Sequence, residues 1–313
     1  MSIAFLFPGQ GSQTVGMGRD LAYKFPAAKA VFDEADDALG YSLSQLCFEG
    51  PEETLKLTEY TQPAILTVSV AAARVLASHG VTATMAAGHS LGEYSAHVAA
   101  GTLSFADAVR TVRLRGQFMQ EAVPAGKGGM SAILGLDAHR IGDLCQQASD
   151  EHNTVVAPAN MNAPEQTVIS GEAEAVPRAG ELCKEAGAKR VVPLPVSAPF
   201  HCKMMEPAAE RLSAELERII LNDPTIPVAS NVDARMISRR ADVRDCLIRQ
   251  VTGAVRWVEC VELLKNSGAT TFIEVGPGKV LSGLMRQIDR TQKMLNVEDG
   301  DSLQKTLAAL NGE

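Results

Sequence analysis

The pattern Gly-x-Ser-x-Gly at residues 88–92, centred on Ser90, constrains the fold more than any other feature of the sequence. It is the signature of a nucleophile elbow, a sharp turn between a strand and a helix. The uncharged, partly β-branched residues 81–87 predict the strand, and residues 91–100 predict the helix, which Gly101 ends. The turn crowds the chain, which explains the two glycines. A chance match in a glycine-containing loop is the alternative, and the flanking strand and helix favour a catalytic serine.

Length and charge narrow the class of protein. With 313 residues, the chain suffices for one large domain or two smaller ones. The formal net charge is −8 and no long run of Lys or Arg occurs, so we expect no nucleic-acid partner. The start of the sequence lacks the features of a signal peptide, and no apolar segment approaches membrane-spanning length. We therefore expect no membrane partner and a cytoplasmic location.

Six cysteines are scattered along the chain without a Cys-x-x-Cys pair. This spacing is typical of reduced thiols in a reducing compartment. We expect neither a disulfide nor a structural zinc site, and no metal site is predicted.

The order of predicted elements indicates an α/β fold. An apolar strand at 3–7 is followed by a glycine-rich loop at 8–13, which is a tight turn or a ligand-binding loop but not a dinucleotide or P-loop fingerprint. Further strands are predicted at 224–230, 271–275 and 294–297, and helices within 17–49, at 62–79, 105–121, from 201 to about 221, and at 246–251, 257–265 and 302–310. This alternation favours a mostly parallel sheet covered by helices.

The segment from the break at 124–129 to residue 196 has a pattern of predicted elements of its own. A proline- and glycine-rich break at 124–129 precedes strand, helix, strand, strand, helix and strand at 130–136, 139–149, 155–159, 166–170, 173–186 and 189–194. This β-α-β-β-α-β order is that of ferredoxin-like units. We predict a catalytic core formed by residues 1–125 and 197–313, and an inserted ferredoxin-like subdomain at 126–196.

A serine nucleophile needs a base, and His201 is the best candidate among six histidines. The proline-rich, stiff stretch 193–200 leads directly to it, and it lies far from Ser90 in sequence. We predict that His201 is the general base. No acid between the two residues sits in a clear post-strand loop, so the sequence is compatible with a Ser–His dyad in which a backbone carbonyl holds the imidazole tautomer.

Arg115, on the predicted helix 105–121, has two interpretations. A guanidinium near Ser90 would bind a substrate carboxylate through two hydrogen bonds. Spacing alone favours a solvated helix face for Arg115 and its neighbours Arg110 and Arg113.

Six segments taken together resemble a known family. They are residues 8–13, residues 88–94, Arg115-Gly116 with Met119-Gln120, residues 195–201, Asn231-Val232 and residues 274–278. In this order they are similar to the malonyl-CoA:acyl carrier protein transacylases of type II fatty-acid synthesis, over nearly the whole chain.

The resemblance implies a role for each matching residue. Ser90 would be the acylated nucleophile, His201 its base, Gln10 and Leu91 the backbone donors of an oxyanion hole, Arg115 the partner of the malonyl carboxylate, and Gln250 the residue whose carbonyl orients the histidine. It also implies an α/β-hydrolase-like core with a ferredoxin-like insert, malonyl-CoA and acyl carrier protein as partners, no cofactor, and a monomer.

Two positions depart from the pattern of the family. Gly253-Ala254 stands where the family usually has Asn-Pro, which affects the local loop shape. Phe200 stands where other members often carry a smaller residue, and related domains with Phe here favour malonyl over methylmalonyl. We expect Phe200 to crowd the α-carbon of the substrate.

Three alternatives stay open. A serine esterase or thioesterase with the same elbow would hydrolyse its substrate rapidly and would not need Arg115. An acyltransferase of another pathway, such as polyketide synthesis or malonate decarboxylation, would share the active-site residues and differ in its carrier protein. A non-catalytic carrier-binding protein is disfavoured because Ser90 and His201 are both present.

Overall fold

Two sheets organise the molecule, for which a computed structural model describes residues 2–196 and 198–312. The first part of the chain forms β1 (Ile3–Phe7), α1 (Arg19–Lys24), α2 (Pro26–Leu39), α3 (Leu43–Glu49), α4 (Glu52–Leu55), α5 (Thr58–Ser78), β2 (Met85–Gly88), α6 (Gly92–Ala99) and α7 (Phe105–Glu121). The middle part forms β3 (Gly128–Leu134), α8 (Ala138–His152), β4 (Val156–Ala163), β5 (Gln166–Glu172), α9 (Ala175–Glu185) and β6 (Arg190–Pro193).

The last part returns to the first sheet. After a 3₁₀ turn at Lys203–Met205 it forms α10 (Glu206–Glu217), β7 (Val228–Ala229), β8 (Met236–Ile237), α11 (Arg240–Thr252), α12 (Trp257–Asn266), β9 (Thr271–Val275), α13 (Val280–Ile288), β10 (Lys293–Val297) and α14 (Gly300–Asn311). None of the described helices is both long and apolar enough to cross a membrane.

The six-stranded sheet has the order β10-β9-β1-β2-β7-β8 and is parallel except for β8. Ala4 and Leu6 of β1 face one apolar cluster, whereas Phe5 and Phe7 face another. Both faces of the sheet are covered, which is why β1 is an uninterrupted apolar run. The predicted α/β class with a mostly parallel sheet is confirmed. The carboxyl ends of β1, β2 and β7 lie along one edge, where the site is built.

The four-stranded sheet is antiparallel, with the order β4-β5-β3-β6. Ile133, Ile141 and Val176 belong to one apolar cluster, which joins β3 to α8 and α9. The predicted β-α-β-β-α-β order is present, within residues 126–196. The division into a core of 1–125 and 197–313 and a subdomain of 126–196 stays a prediction.

A backbone contact beside the site joins strand β4 of the four-stranded sheet to the loop that follows α11. Val255 pairs with Asn160 of β4 in a short parallel bridge. The Val255 N–H donates to the carbonyl of Ala159 at 2.8 Å, and the Met161 N–H donates to the carbonyl of Val255 at 2.9 Å. The predicted 126–196 segment is thereby held against the loop that follows α11.

Several predicted boundaries were wrong, for local reasons. The elbow strand covers Met85–Gly88 rather than 81–87, because its partner β1 only begins at Ile3. The helix predicted to start at His201 begins at Glu206, since His201 has a positive φ of 61° that no α-helix allows. Strand β3 ends at Leu134 because Gly135 adopts a φ of 81°. The two-residue strand β8 was not predicted. Ser197, at the predicted start of the second core segment, lies outside the described residues.

Candidate active site

The elbow has the predicted geometry of strand, sharp turn and helix. Ser90 sits between β2 and α6 with a φ of 52°, a left-handed conformation that non-glycine residues rarely adopt. A Cβ on Gly88 would lie 1.9 Å from the backbone of Gly92, and a Cβ on Gly92 would lie 2.1 Å from the carbonyl oxygen of Phe7. The two glycines of the pattern are therefore required by close backbone contacts.

His201 lies directly against the serine. Its Nε2 is 2.7 Å from Oγ of Ser90, and its Nδ1 is 2.8 Å from the carbonyl oxygen of Gln250. Because a carbonyl only accepts, Nδ1 carries the proton and donates it, which leaves Nε2 free to accept from the serine hydroxyl. The structure thus brings together Ser90, His201 and Gln250 in the arrangement that the resemblance implies.

The surroundings keep His201 neutral. Burial lowers the pKa of His201 to about 3, and the positive charge of Arg115 acts in the same direction. The imidazole is therefore unprotonated at neutral pH and is available as a base.

Arg115 points into the site rather than into solvent. It is only 1% exposed, and its Nη2 donates to Oγ of Ser90 at 3.2 Å. Its Nη1 donates to Oε1 of Gln62 at 2.7 Å, and Nη2 also donates to Oε1 of Gln250 at 2.8 Å. The solvated-face interpretation is wrong for Arg115 and correct for Arg110, because they lie on opposite sides of α7. Spacing along one helix could not show which side contacts the elbow.

Gln10 and Leu91 both line a cavity of about 150 Å³ that contains Ser90, His201 and Arg115. Gln10 lies in the loop after β1, and Leu91 directly follows the nucleophile at the start of α6. Within residues 2–196 and 198–312, neither backbone N–H donates to a protein acceptor. Both donors are thus free for an oxygen of a bound substrate.

Phe200 is half-buried and lines the same cavity together with Met130 and Leu194. His89, the residue before the nucleophile, also lines it, and its Nε2 lies 2.8 Å from Oδ1 of Asn162 on β4. The cavity therefore has an apolar wall beside the reactive oxygen. Among the described residues, no group of three or more His, Cys, Asp and Glu could hold a metal ion.

Sequence reasoning assigned no role to three polar residues of the site. Gln62 is a buried polar residue in an apolar helix. Glu93 and Asn231 were named only as members of the segments that match the family. Asn231 follows β7 at the carboxyl edge of the sheet, which is a signal that could have singled it out. Gln62 and Glu93 have no comparable signal, because their partners come from distant segments.

The comparison with known proteins agrees with this geometry. A model of the acyl transferase domain matches residues 4–304. The chain belongs to the acyl transferase domain family. A malonyl CoA-acyl carrier protein transacylase of Bacillus subtilis (strain 168) is 51% identical over 311 residues, which cover 99% of this chain and 98% of the relative. The protein of the same name from Escherichia coli (strain K12) is 53% identical over 286 residues, which cover 91% of this chain and 92% of the relative.

Solved structures in this acyl transferase family have the same fold. The structure of an acyl carrier protein S-malonyltransferase from Vibrio cholerae has a TM-score of 0.95 and 49% identity, and the match covers 98% of this chain and 100% of that chain. A malonyl-transacylase in complex with its type II polyketide acyl-carrier protein has a TM-score of 0.95 and 47% identity, with all of both chains covered. The resemblance stated from the motifs is thereby confirmed at the level of the family.

Proposed function

We propose that the protein is a malonyl-CoA:acyl carrier protein S-malonyltransferase. It transfers the malonyl group from malonyl-CoA to the phosphopantetheine thiol of acyl carrier protein and so supplies fatty-acid synthesis. The observation that carries the proposal is the buried guanidinium of Arg115, 3.2 Å from Oγ of Ser90. A serine with a histidine base suits many acyl transfers, whereas a buried cation beside it selects an acyl group that ends in a carboxylate.

The first half-reaction forms a malonyl ester on Ser90. Nε2 of His201 takes the hydroxyl proton as Oγ attacks the thioester carbonyl, which becomes a tetrahedral oxyanion. The backbone N–H groups of Gln10 and Leu91 bind this oxyanion, and loss of one such donor typically costs about 3–4 kcal/mol. The C–S bond then breaks, and CoA leaves as the thiol with the proton from His201.

The second half-reaction regenerates the serine. The phosphopantetheine thiol of acyl carrier protein gives its proton to His201 and attacks the malonyl ester. The tetrahedral intermediate collapses, the C–O bond to Ser90 breaks, and the oxygen recovers its proton from His201. CoA, the first product, leaves before acyl carrier protein reacts, so the mechanism is ping-pong.

Arg115 provides the selectivity for malonyl. Its bonds to Gln62 and Gln250 fix the plane of the guanidinium, which then meets the substrate carboxylate with little loss of side-chain freedom. An acetyl group has no carboxylate and leaves the buried cation without an anionic partner. Phe200, at the apolar wall, is proposed to crowd a methyl branch on the α-carbon.

These steps use no cofactor and no metal, since malonyl-CoA and CoA are substrate and product. A cytoplasmic location is supported by the cysteines at positions 47, 145, 183, 202, 246 and 260, all free and buried. A monomer is proposed on the family resemblance.

One observation favours a second candidate carrier. The neighbour solved with a type II polyketide acyl-carrier protein is 47% identical to this chain. Transfer to a polyketide carrier would use the same residues. Competition between a fatty-acid carrier and a polyketide carrier for the malonylated enzyme distinguishes the two, since the preferred carrier is loaded first.

The direct test is the mass of the intact protein after mixing with malonyl-CoA. The wild type should gain one malonyl group, Ser90→Ala should gain none, and addition of a carrier protein should remove the adduct from the wild type. Free malonate in place of a transferable adduct would identify a hydrolase and overturn the proposal.

A further inference from the structure

The backbone of the nucleophile is held by an amide side chain from another strand. Oδ1 of Asn231 accepts a hydrogen bond from the Ser90 N–H at 2.7 Å, and Nδ2 of Asn231 donates to the carbonyl of Gly88 at 2.7 Å. Asn231 is fully buried and follows β7. Its side chain therefore bridges the two sides of the elbow, where Ser90 has its strained φ of 52°. Such a conformation persists only when its surroundings fix it.

A second amide holds the other side of the same residue. Nε2 of Gln250 donates to the carbonyl of Ser90 at 2.9 Å, while Oε1 of Gln250 accepts from Nη2 of Arg115 at 2.8 Å. The backbone carbonyl of Gln250 also accepts from His201. Gln250 thus contacts the nucleophile, the base and the guanidinium at once.

Glu93 connects the two amides. Its Oε2 accepts from Nε2 of Gln250 at 2.7 Å and from the N–H of Asn231 at 3.1 Å. Glu93 is fully buried, and within the described chain its Oε1 has no hydrogen-bond partner. Burial raises the pKa of Glu93 to about 7. A proton on Oε1 leaves Oε2 an acceptor, so the connection to both amides persists in either protonation state.

The Gln250 amide has one orientation that satisfies all of its neighbours. Arg115 only donates and the Ser90 carbonyl only accepts, so a flipped amide would face both with the wrong atom. Glu93 adds a second acceptor on the Nε2 side and so stabilises the productive orientation. Without Glu93, the oxygen that orients Arg115 is held less firmly.

We propose that Asn231 and Glu93 are positioning residues for acyl transfer. Asn231 fixes the backbone of the nucleophile. Glu93 acts through Gln250 and fixes the guanidinium that binds the carboxylate of the acyl group. The inference rests on the proposed malonyl transfer. Loss of Asn231 should slow the transfer of any acyl group, because Asn231 acts on the reactive oxygen. Loss of Glu93 should weaken the selectivity for a carboxylate.

Asn231 is tested by the single-turnover rate of serine acylation with malonyl-CoA and with acetyl-CoA. Asn231→Ala and the near-isosteric Asn231→Asp should each lower the maximal rate constant of acylation by about 100-fold for both substrates, with the half-saturating substrate concentration little changed, because Ser90 is misplaced. The aspartate keeps an acceptor for Ser90 but has no donor for Gly88. Asn296→Ala, on β10 away from the site, is the matched control and should load like the wild type.

Glu93 is tested by the ratio of malonyl to acetyl loading. Glu93→Ala should lower that ratio by roughly tenfold, mainly through malonyl, because Arg115 loses its fixed orientation. Glu93→Gln retains an acceptor oxygen of the same size and should restore most of the ratio. Melting temperatures of all variants identify any loss caused by unfolding alone.

The outcomes separate this inference from the proposed function. If the wild type forms no malonyl adduct, the proposed function fails. If the wild type loads malonyl but folded Asn231→Asp loads at the wild-type rate, the role of Asn231 is wrong. If folded Glu93→Ala loses malonyl and acetyl loading equally, or Glu93→Gln fails to restore the ratio, Glu93 does not act through Arg115.

Discussion

Oγ of Ser90 accepts a hydrogen bond from Nη2 of Arg115 at 3.2 Å, although the two residues lie on different elements of the core. The same oxygen contacts Nε2 of His201 at 2.7 Å. The nucleophile therefore lies between its base and a buried cation, and a group bound to Ser90 would lie within reach of that cation. This relationship decides which acyl groups suit the site.

Removing the guanidinium should change acyl selectivity. We expect Arg115→Ala to lower the rate of malonyl loading by about 100-fold or more, since each hydrogen bond to a charged group contributes about 1.5–3 kcal/mol. Acetyl loading should rise relative to malonyl. The measurement is the acylation rate with each thioester, followed by intact mass.

The control for this prediction is Arg110→Ala on the exposed side of the same helix, which should leave both rates unchanged. Equal loss of malonyl and acetyl loading in a folded Arg115→Ala would show that the residue does not bind the carboxylate.

The pH below which the acylation rate falls should lie far below the ordinary pKa range of histidine. Because the pKa of His201 is lowered to about 3, the neutral base persists from pH 7 to pH 5. An unperturbed histidine with a pKa of about 6.5 would lose about 30-fold of its neutral form by pH 5. Rapid-mixing measurements at pH 5, 6 and 7 should give nearly equal rates of serine acylation, and a tenfold fall per pH unit below pH 6.5 would contradict this.

Histidine burial should also make the fold sensitive to acid. His97, on α6, is fully buried, and neither ring nitrogen has a partner within residues 2–196 and 198–312. Burial lowers the pKa of His97 to about 3, so between that value and about 6.5 the unfolded chain binds the proton more strongly. The stability contributed by neutral His97 is therefore full above about pH 6.5 and is lost as the pH falls, by about 2 kcal/mol at pH 5.

We therefore expect His97→Leu to reduce the loss of unfolding free energy between pH 8 and pH 5, measured by urea denaturation. His139→Leu, at an exposed position, should behave like the wild type. An unchanged pH dependence in His97→Leu would mean that this imidazole is hydrated or paired in solution.

The apolar wall should control substitution at the α-carbon. Phe200 lines the cavity that contains Ser90, so Phe200→Ser should increase methylmalonyl loading relative to malonyl, by roughly tenfold for the space of one methyl group. Competition between the two thioesters, read as adduct mass, measures the ratio. Unchanged selectivity would show that the methyl branch points elsewhere.

Local sequence patterns were sufficient to predict many elements of this fold. The elbow at 88–92, helix α7 at Phe105–Glu121 and strand β9 at Thr271–Val275 were predictable because glycine placement and apolar periodicity act within a few residues. His201 was also predictable, since the prolines before it stiffen the chain. Boundaries such as the start of β2 were not, because a strand ends where its partner ends.

The α/β class, the elbow and the pairing of Ser90 with His201 could all be predicted from local sequence patterns. The burial of Arg115 against Ser90, and the hydrogen bonds by which Asn231, Glu93 and Gln250 connect the site, became visible only in the folded molecule. Those contacts join residues from α6, α7, α11 and the end of β7, which are far apart in the chain. The physical reason is that the direction of a side chain depends on which elements pack around it, whereas periodicity and turn chemistry depend on near neighbours alone.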